Sequence, residues 1–142
     1  MSRNGSLALL DTGVYIRGWS DRPWWEQTDR ALRPYIMRMS SVVLSELRRG
    51  ATTVRARRRV EQLLRAAAEI WTPAEKDWWT AGGVLATLGE REGFDATGKR
   101  RIQNDVLIAL TARRHGAFVV TTDRADFEKI ARRIPGLRIA FV

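Results

Sequence analysis

Leu7-Ala8-Leu9-Leu10-Asp11 is a short apolar run closed by a carboxylate. So short a run, without helical periodicity, fits a strand buried on both faces. Gly116-Ala117-Phe118-Val119-Val120-Thr121-Thr122-Asp123 repeats the design near the other end of the chain. Residues 35–39, 70–71 and 138–142 supply three further short strands. Helical patterns separate them, and that alternation predicts an α/β fold with a parallel, helix-covered sheet. Ligands of such sheets bind beyond the carboxyl ends of the strands, where Asp11 and Asp123 fall.

The intervening segments read as helices. Residues 12–19 form a short helix or turn, and residues 24–33 a helix ending before Pro34. Ser40 or Ser41 caps residues 42–49, and Gly50 stops them. Residues 54–69 place Val60, Leu63, Leu64 and Ala67 on one stripe, with Arg55, Arg57, Arg58, Arg59 and Arg65 opposite. Thr72-Pro73-Ala74-Glu75 has the capping-box layout, followed by a helix with Trp78, Ala81, Leu85 and Leu88 on one side. Gly93 ends that helix and residues 95–98 read as a loop. Residues 100–115 are helical through Ile102, Val106, Ala109 and Ala112, with His115 placed to satisfy terminal carbonyls. Asp123 opens a last helix through Ile134, before a Pro135-Gly136 turn. No repeat or linker interrupts the pattern, so residues 1–142 read as one domain.

Composition narrows the chemistry. Cysteine is absent and His115 is the one histidine, which excludes disulfides and leaves too few ligands for a conventional zinc site. No apolar run approaches the roughly 20 residues that span a bilayer. The patch after Met1-Ser2-Arg3-Asn4-Gly5-Ser6 is too short for a signal peptide, so a cytoplasmic protein without membrane contact is expected. The net charge of +9 comes almost wholly from arginine, since only Lys76, Lys99 and Lys129 are lysines. Guanidinium forks suit phosphate, so nucleic acid is one reading of this charge. Arginine-rich solvated surface is the other.

Catalysis, with these residues, rests on carboxylates. Asp11 follows a strand and Asp123 follows another; each can cap the next helix or offer an oxygen to a metal. Glu46, in Ser45-Glu46-Leu47-Arg48-Arg49-Gly50, borders an apolar face and can pair with Arg49 or serve a site. Asp105 stands mid-helix beside Ile102, Ile108 and Ala109, where no cap is needed. An enclosed carboxylate there must neutralise or find a cation, Arg101 being one and a metal another. Crowded acids repel unless protons or cations compensate, and hard divalent ions prefer such oxygen donors. Magnesium or manganese fits the set Asp11, Glu46, Asp105 and Asp123.

These motifs, in this order, resemble the PIN-domain family. Leu9-Leu10-Asp11-Thr12 and Ser45-Glu46-Leu47-Arg48-Arg49-Gly50 are similar to its opening half. Asn104-Asp105-Val106-Leu107-Ile108-Ala109 and Val120-Thr121-Thr122-Asp123-Arg124-Ala125-Asp126-Phe127 are similar to its closing half. The resemblance implies a PIN-like three-layer α/β/α sandwich around a short central parallel sheet. It also implies a metal-dependent ribonuclease of the VapC toxin type, hydrolysing RNA to leave a 5′-phosphate and a 3′-hydroxyl. Asp11, Glu46 and Asp105 match the three most characteristic acids, Asp123 the more variable fourth, and Asp126 an acid that more often supports the site. A VapB-type antitoxin and a homodimer are the implied partners.

Other readings stay open on the sequence alone. A non-catalytic RNA-binding or protein-interaction module would use the arginine helix and leave the acids as caps. Another magnesium-dependent nuclease or phosphatase would use the same carboxylates. Trp24-Trp25 and Trp78-Trp79 fit a dimer surface, an antitoxin groove, base stacking or core packing.

Overall fold

The computed structural model describes residues 5–142. Residues 1–4, part of the stretch read above against a signal peptide, lie outside the described residues. In chain order the elements are β1 (Ser6–Leu10), α1 (Thr12–Ser20), α2 (Arg22–Leu32), β2 (Tyr35–Ser40), α3 (Ser41–Gly50) and α4 (Val54–Ala66). They continue as β3 (Ile70–Trp71), α5 (Glu75–Glu92), α6 (Ala96–Arg114), β4 (Phe118–Thr121), α7 (Arg124–Ala131) and β5 (Arg138–Phe141).

Among the described residues, the five strands are all parallel, in the order β3-β2-β1-β4-β5. Leu9 of β1 lies opposite Arg38 of β2 and Val119 of β4, which brings the carboxyl ends of β1 and β4 side by side. Alternation along the strands then builds two cores. Leu9 and Val119 face Val43 and Leu47 of α3, Ala81 and Leu88 of α5, Ile102 and Val106 of α6, and Phe127 of α7. Ala8, Leu10 and Val120 face Val14 of α1 and Leu32 of α2. The result is the expected three-layer α/β/α sandwich. From Val106 to Ala112 every α6 residue is buried, as a helix apolar on nearly all sides requires. Among the described residues, no helix is long and apolar enough to cross a membrane.

Several boundaries differ from the sequence reading, each for a local reason. The expected loop at 95–98 is the first turn of α6, because the Asp95 carboxylate accepts from the Gly98 N–H at 2.7 Å. Thr72 and Pro73 stand before α5 rather than capping it; the Asp77 carboxylate accepts from the Ala74 N–H at 2.8 Å and fixes the helix start at Glu75. Asp77 is buried against Arg114 at 2.9 Å, and that anchor turns Ala81, Val84 and Leu88 inward. Trp78, grouped in the sequence on one side of the helix with Ala81 and Leu88, is consequently 52% exposed and Trp79 86% exposed.

Helix α4 stops at Ala66, since Glu69 already feeds its carbonyl to Met39 N–H beside the sheet. Helix α2 begins at Arg22 because Asp21 caps it by accepting from Trp24 N–H, with Pro23 in the first turn. His115 does close α6, but through its backbone N–H; its ring stacks on Trp71 at a centroid distance of 3.9 Å.

Candidate metal centre

β1 delivers Asp11 to the sheet edge in an extended conformation, and the side chain caps α1 by accepting from Thr12 N–H at 2.8 Å. Its other oxygen accepts from the Thr121 hydroxyl, at the end of β4, at 3.0 Å. The same hydroxyl accepts from Asp123 N–H at 3.0 Å, so one threonine spaces the acids of two strand ends. Burial pushes the Asp11 carboxyl up to about 6; the bonds from Thr121 and Thr12 oppose that rise, while Glu46 and Asp123 add repulsion.

Glu46 reaches the site from the middle of α3, one face of which packs on the sheet through Val43 and Leu47. Its carboxylate accepts from the Thr12 hydroxyl at 2.8 Å, and no Glu46–Arg49 pair exists among the described residues. Both roles anticipated for Asp123 as a cap and a site residue are compatible. It caps α7 by accepting from Asp126 N–H at 3.1 Å, leaving an oxygen over.

Asp105 enters from α6, one turn after buried Ile102 and just before buried Val106. Among the described residues it accepts no hydrogen bond and joins no ion pair. Arg101, the sequence candidate for its partner, instead binds Asp126 at 2.7 Å. Burial drives the Asp105 carboxyl up to about 8, reinforced by the negative fields of Asp11, Glu46, Asp123 and Asp126. Asp105, Asp123 and Asp126 each present a carboxylate oxygen, all within 4.8 Å of one another.

Of the four acids singled out in the sequence, two thus sit in the tightest group, Asp105 and Asp123. Asp11 and Glu46 adjoin it as electrostatic neighbours of Asp105. Asp126, which the resemblance marked as an acid that more often supports the site, completes the group from the first turn of α7. The donor set fits the chemistry of a hard divalent cation: oxygens only, negatively charged, and gathered within 4.8 Å of one another. Among the described residues, no cysteine or histidine joins this group to favour a softer or nitrogen-preferring metal.

The model of the PIN domain family matches residues 8–133. Comparison with curated protein sequences gives no match. Among solved structures, DNA-bound VapBC from Salmonella typhimurium is similar at 25% identity and a TM-score of 0.67, over 96% of this chain and 98% of that one. VapBC-1 from nontypeable Haemophilus influenzae is similar at 23% identity and a TM-score of 0.69, over 95% and 97%. VapBC-5 from Mycobacterium tuberculosis, a member of the VapBC family of toxin-antitoxin systems, follows at 24% identity and 0.63, over 96% and 98%. Sheet order, acidic strand ends and the match across nearly the whole sequence agree: this chain belongs to the PIN-domain family.

Proposed function

We propose that the chain is a divalent-metal-dependent endoribonuclease of the VapC type. In this reading it hydrolyses RNA phosphodiester bonds in the cytoplasm, forms a homodimer and is neutralised by a VapB-type antitoxin. The observation that carries the catalytic part is Asp105, a largely buried acid among four others that, among the described residues, accepts no hydrogen bond and joins no ion pair. A carboxylate in that setting is either protonated or holds a cation. Likeness to VapBC complexes from several bacteria supports the toxin and antitoxin parts.

Asp105, Asp123 and Asp126 would hold magnesium or manganese, with Asp11 reaching it directly or through water. When bound, such an ion lowers the pKa of a coordinated water and offsets charge on phosphoryl oxygens. Glu46, held by the Thr12 hydroxyl, would bind the ion or orient the attacking water. Thr121 keeps Asp11 and Asp123 in register. Arg101 balances part of the charge at Asp126. Hydrolysis in this manner leaves a 5′-phosphate on one product and a 3′-hydroxyl on the other.

The test is cleavage of labelled RNA by purified protein in magnesium and in EDTA. Metal-dependent cleavage that Asp105→Asn abolishes, with folding retained, is the expected result. Full activity in that variant, or cleavage indifferent to chelation, contradicts the proposal. Co-expression with the product of a neighbouring small DNA-binding gene checks neutralisation.

A further inference from the structure

A shallow depression of about 270 Å³ lies immediately beside the acids, between the end of α5, the first turns of α6, and α7. Its working surface is Phe94, Arg101 and Lys129. Gly93, in the left-handed region at φ 74°, turns the chain sharply out of α5 and into Phe94. Gly98 then lets the ring lie against α6, because a Cβ there would come within 3.1 Å of Phe94 Cδ1. Two cations converge on the seated ring: Lys129 Nζ is 5.3 Å and the Arg101 guanidinium 5.8 Å from its centroid.

The carboxylates around the depression are already engaged. Glu92 is bound by Arg132 at 3.0 Å and by Arg133 at 3.4 Å. Asp95 caps α6 and Asp126 holds Arg101. Lys129, among the described residues, has no carboxylate partner and meets only the ring. Arg101 spends one of its five N–H donors on Asp126, leaving the rest of its fork for an acceptor. Arg101 also feels the fields of Asp105 and Asp123, so an acceptor held by it lies next to the cluster. Two cations gathered at one ring, one of them tied to the acids, suit a phosphate on a chain that continues from the cluster.

Resting on the ribonuclease reading, we propose that Arg101 and Lys129 form a phosphate subsite for the RNA backbone beside the cleaved bond, with Phe94 positioning both cations. It fixes the direction in which substrate leaves the acids: across α6 and α7, rather than along the arginine face of α4. A backbone phosphate there offsets the repulsion that the acids exert on RNA.

The experiment measures binding of a fluorescein-labelled single-stranded 12-nucleotide RNA by anisotropy in EDTA over a salt series, alongside cleavage in magnesium. Each phosphate contact on a single strand contributes about 0.7 to the slope of log affinity against log salt. Lys129→Gln is expected to lower that slope by about 0.7 and to weaken binding about fivefold near 0.1 M salt. Lys129→Arg restores the slope. Phe94→Leu keeps both charges, so it retains the slope while weakening binding about two- to fivefold. Cleavage by the wild type with an unchanged slope in Lys129→Gln overturns the subsite alone. Neither binding nor cleavage by the wild type overturns the ribonuclease reading and the subsite with it. Thermal melting of each variant separates lost contact from lost fold.

Discussion

The Thr121 hydroxyl donates to Asp11 across 110 residues of sequence while accepting from the backbone of Asp123. Replacing it by valine, of similar shape, removes both bonds. Asp11 loses its largest opposing influence, so its carboxyl climbs beyond about 6. At limiting magnesium the pH at which cleavage sets in should therefore move upward in Thr121→Val. The stranded Asp123 N–H also costs about 1–3 kcal/mol of stability. A pH–rate profile together with urea denaturation measures both effects.

Stability in the absence of metal should fall as pH rises. Asp11 and Asp105 have folded pKa values of about 6 and about 8, above the ordinary 3.8. Between roughly pH 4 and 8 the folded chain consequently holds protons that the unfolded chain has released. The stabilisation is complete below that window and is lost as the two acids ionise. Melting in EDTA at pH 5.5 and 8.5 should show the decline, and Asp105→Asn should flatten most of it. Magnesium, binding the ionised acids, should restore stability at the higher pH.

Much of the arrangement of this candidate site was legible in the sequence, for physical reasons that differ residue by residue. Val119 and Val120 face opposite cores, so β4 reads as an unbroken apolar run with its acid just beyond. Asp105 stood out because a mid-helix carboxylate beside isoleucines has no capping work to do. Arg101 was ambiguous because Asp105 lies one turn away on the same helix, whereas its actual partner Asp126 is 25 residues distant. Glu46 was likewise claimed by its helical neighbour Arg49 on paper and by Thr12, 34 residues away, in space. Local spacing ranks contacts within a helix; only the packed sheet decides between them and distant ones. The same limit hid the outward turn of Trp78, set by the Asp77–Arg114 anchor.

That anchor gives a prediction about stability without chemistry. Asp77 is 5% exposed in its side chain, and Arg114 also donates to the Thr72 carbonyl at 2.9 Å. Removing the arginine leaves a buried carboxylate with a single backbone bond. Arg114→Ala should lose about 3 kcal/mol. Its specific activity, measured below the melting transition, should stay within twofold of the wild type. Chemical denaturation followed by tryptophan fluorescence reports the first effect, and an RNA cleavage assay the second.

Asp126 separates metal holding from helix capping. Asp126→Asn keeps the backbone N–H that Asp123 accepts, so α7 retains its cap. The change removes a negative donor from the group of three and frees Arg101. Activity should then fall at low magnesium and recover in part at high magnesium, with the melting temperature nearly unchanged. A magnesium titration of cleavage rate distinguishes this from a loss at all concentrations.

Manganese titration of the purified protein, followed by the electron paramagnetic resonance of the free ion, tests the convergence of these acids most directly. Wild type should take up manganese at the cluster, and Asp105→Asn should weaken that uptake at least tenfold while keeping its circular dichroism. Equal uptake by both proteins, or none by either, would contradict the account.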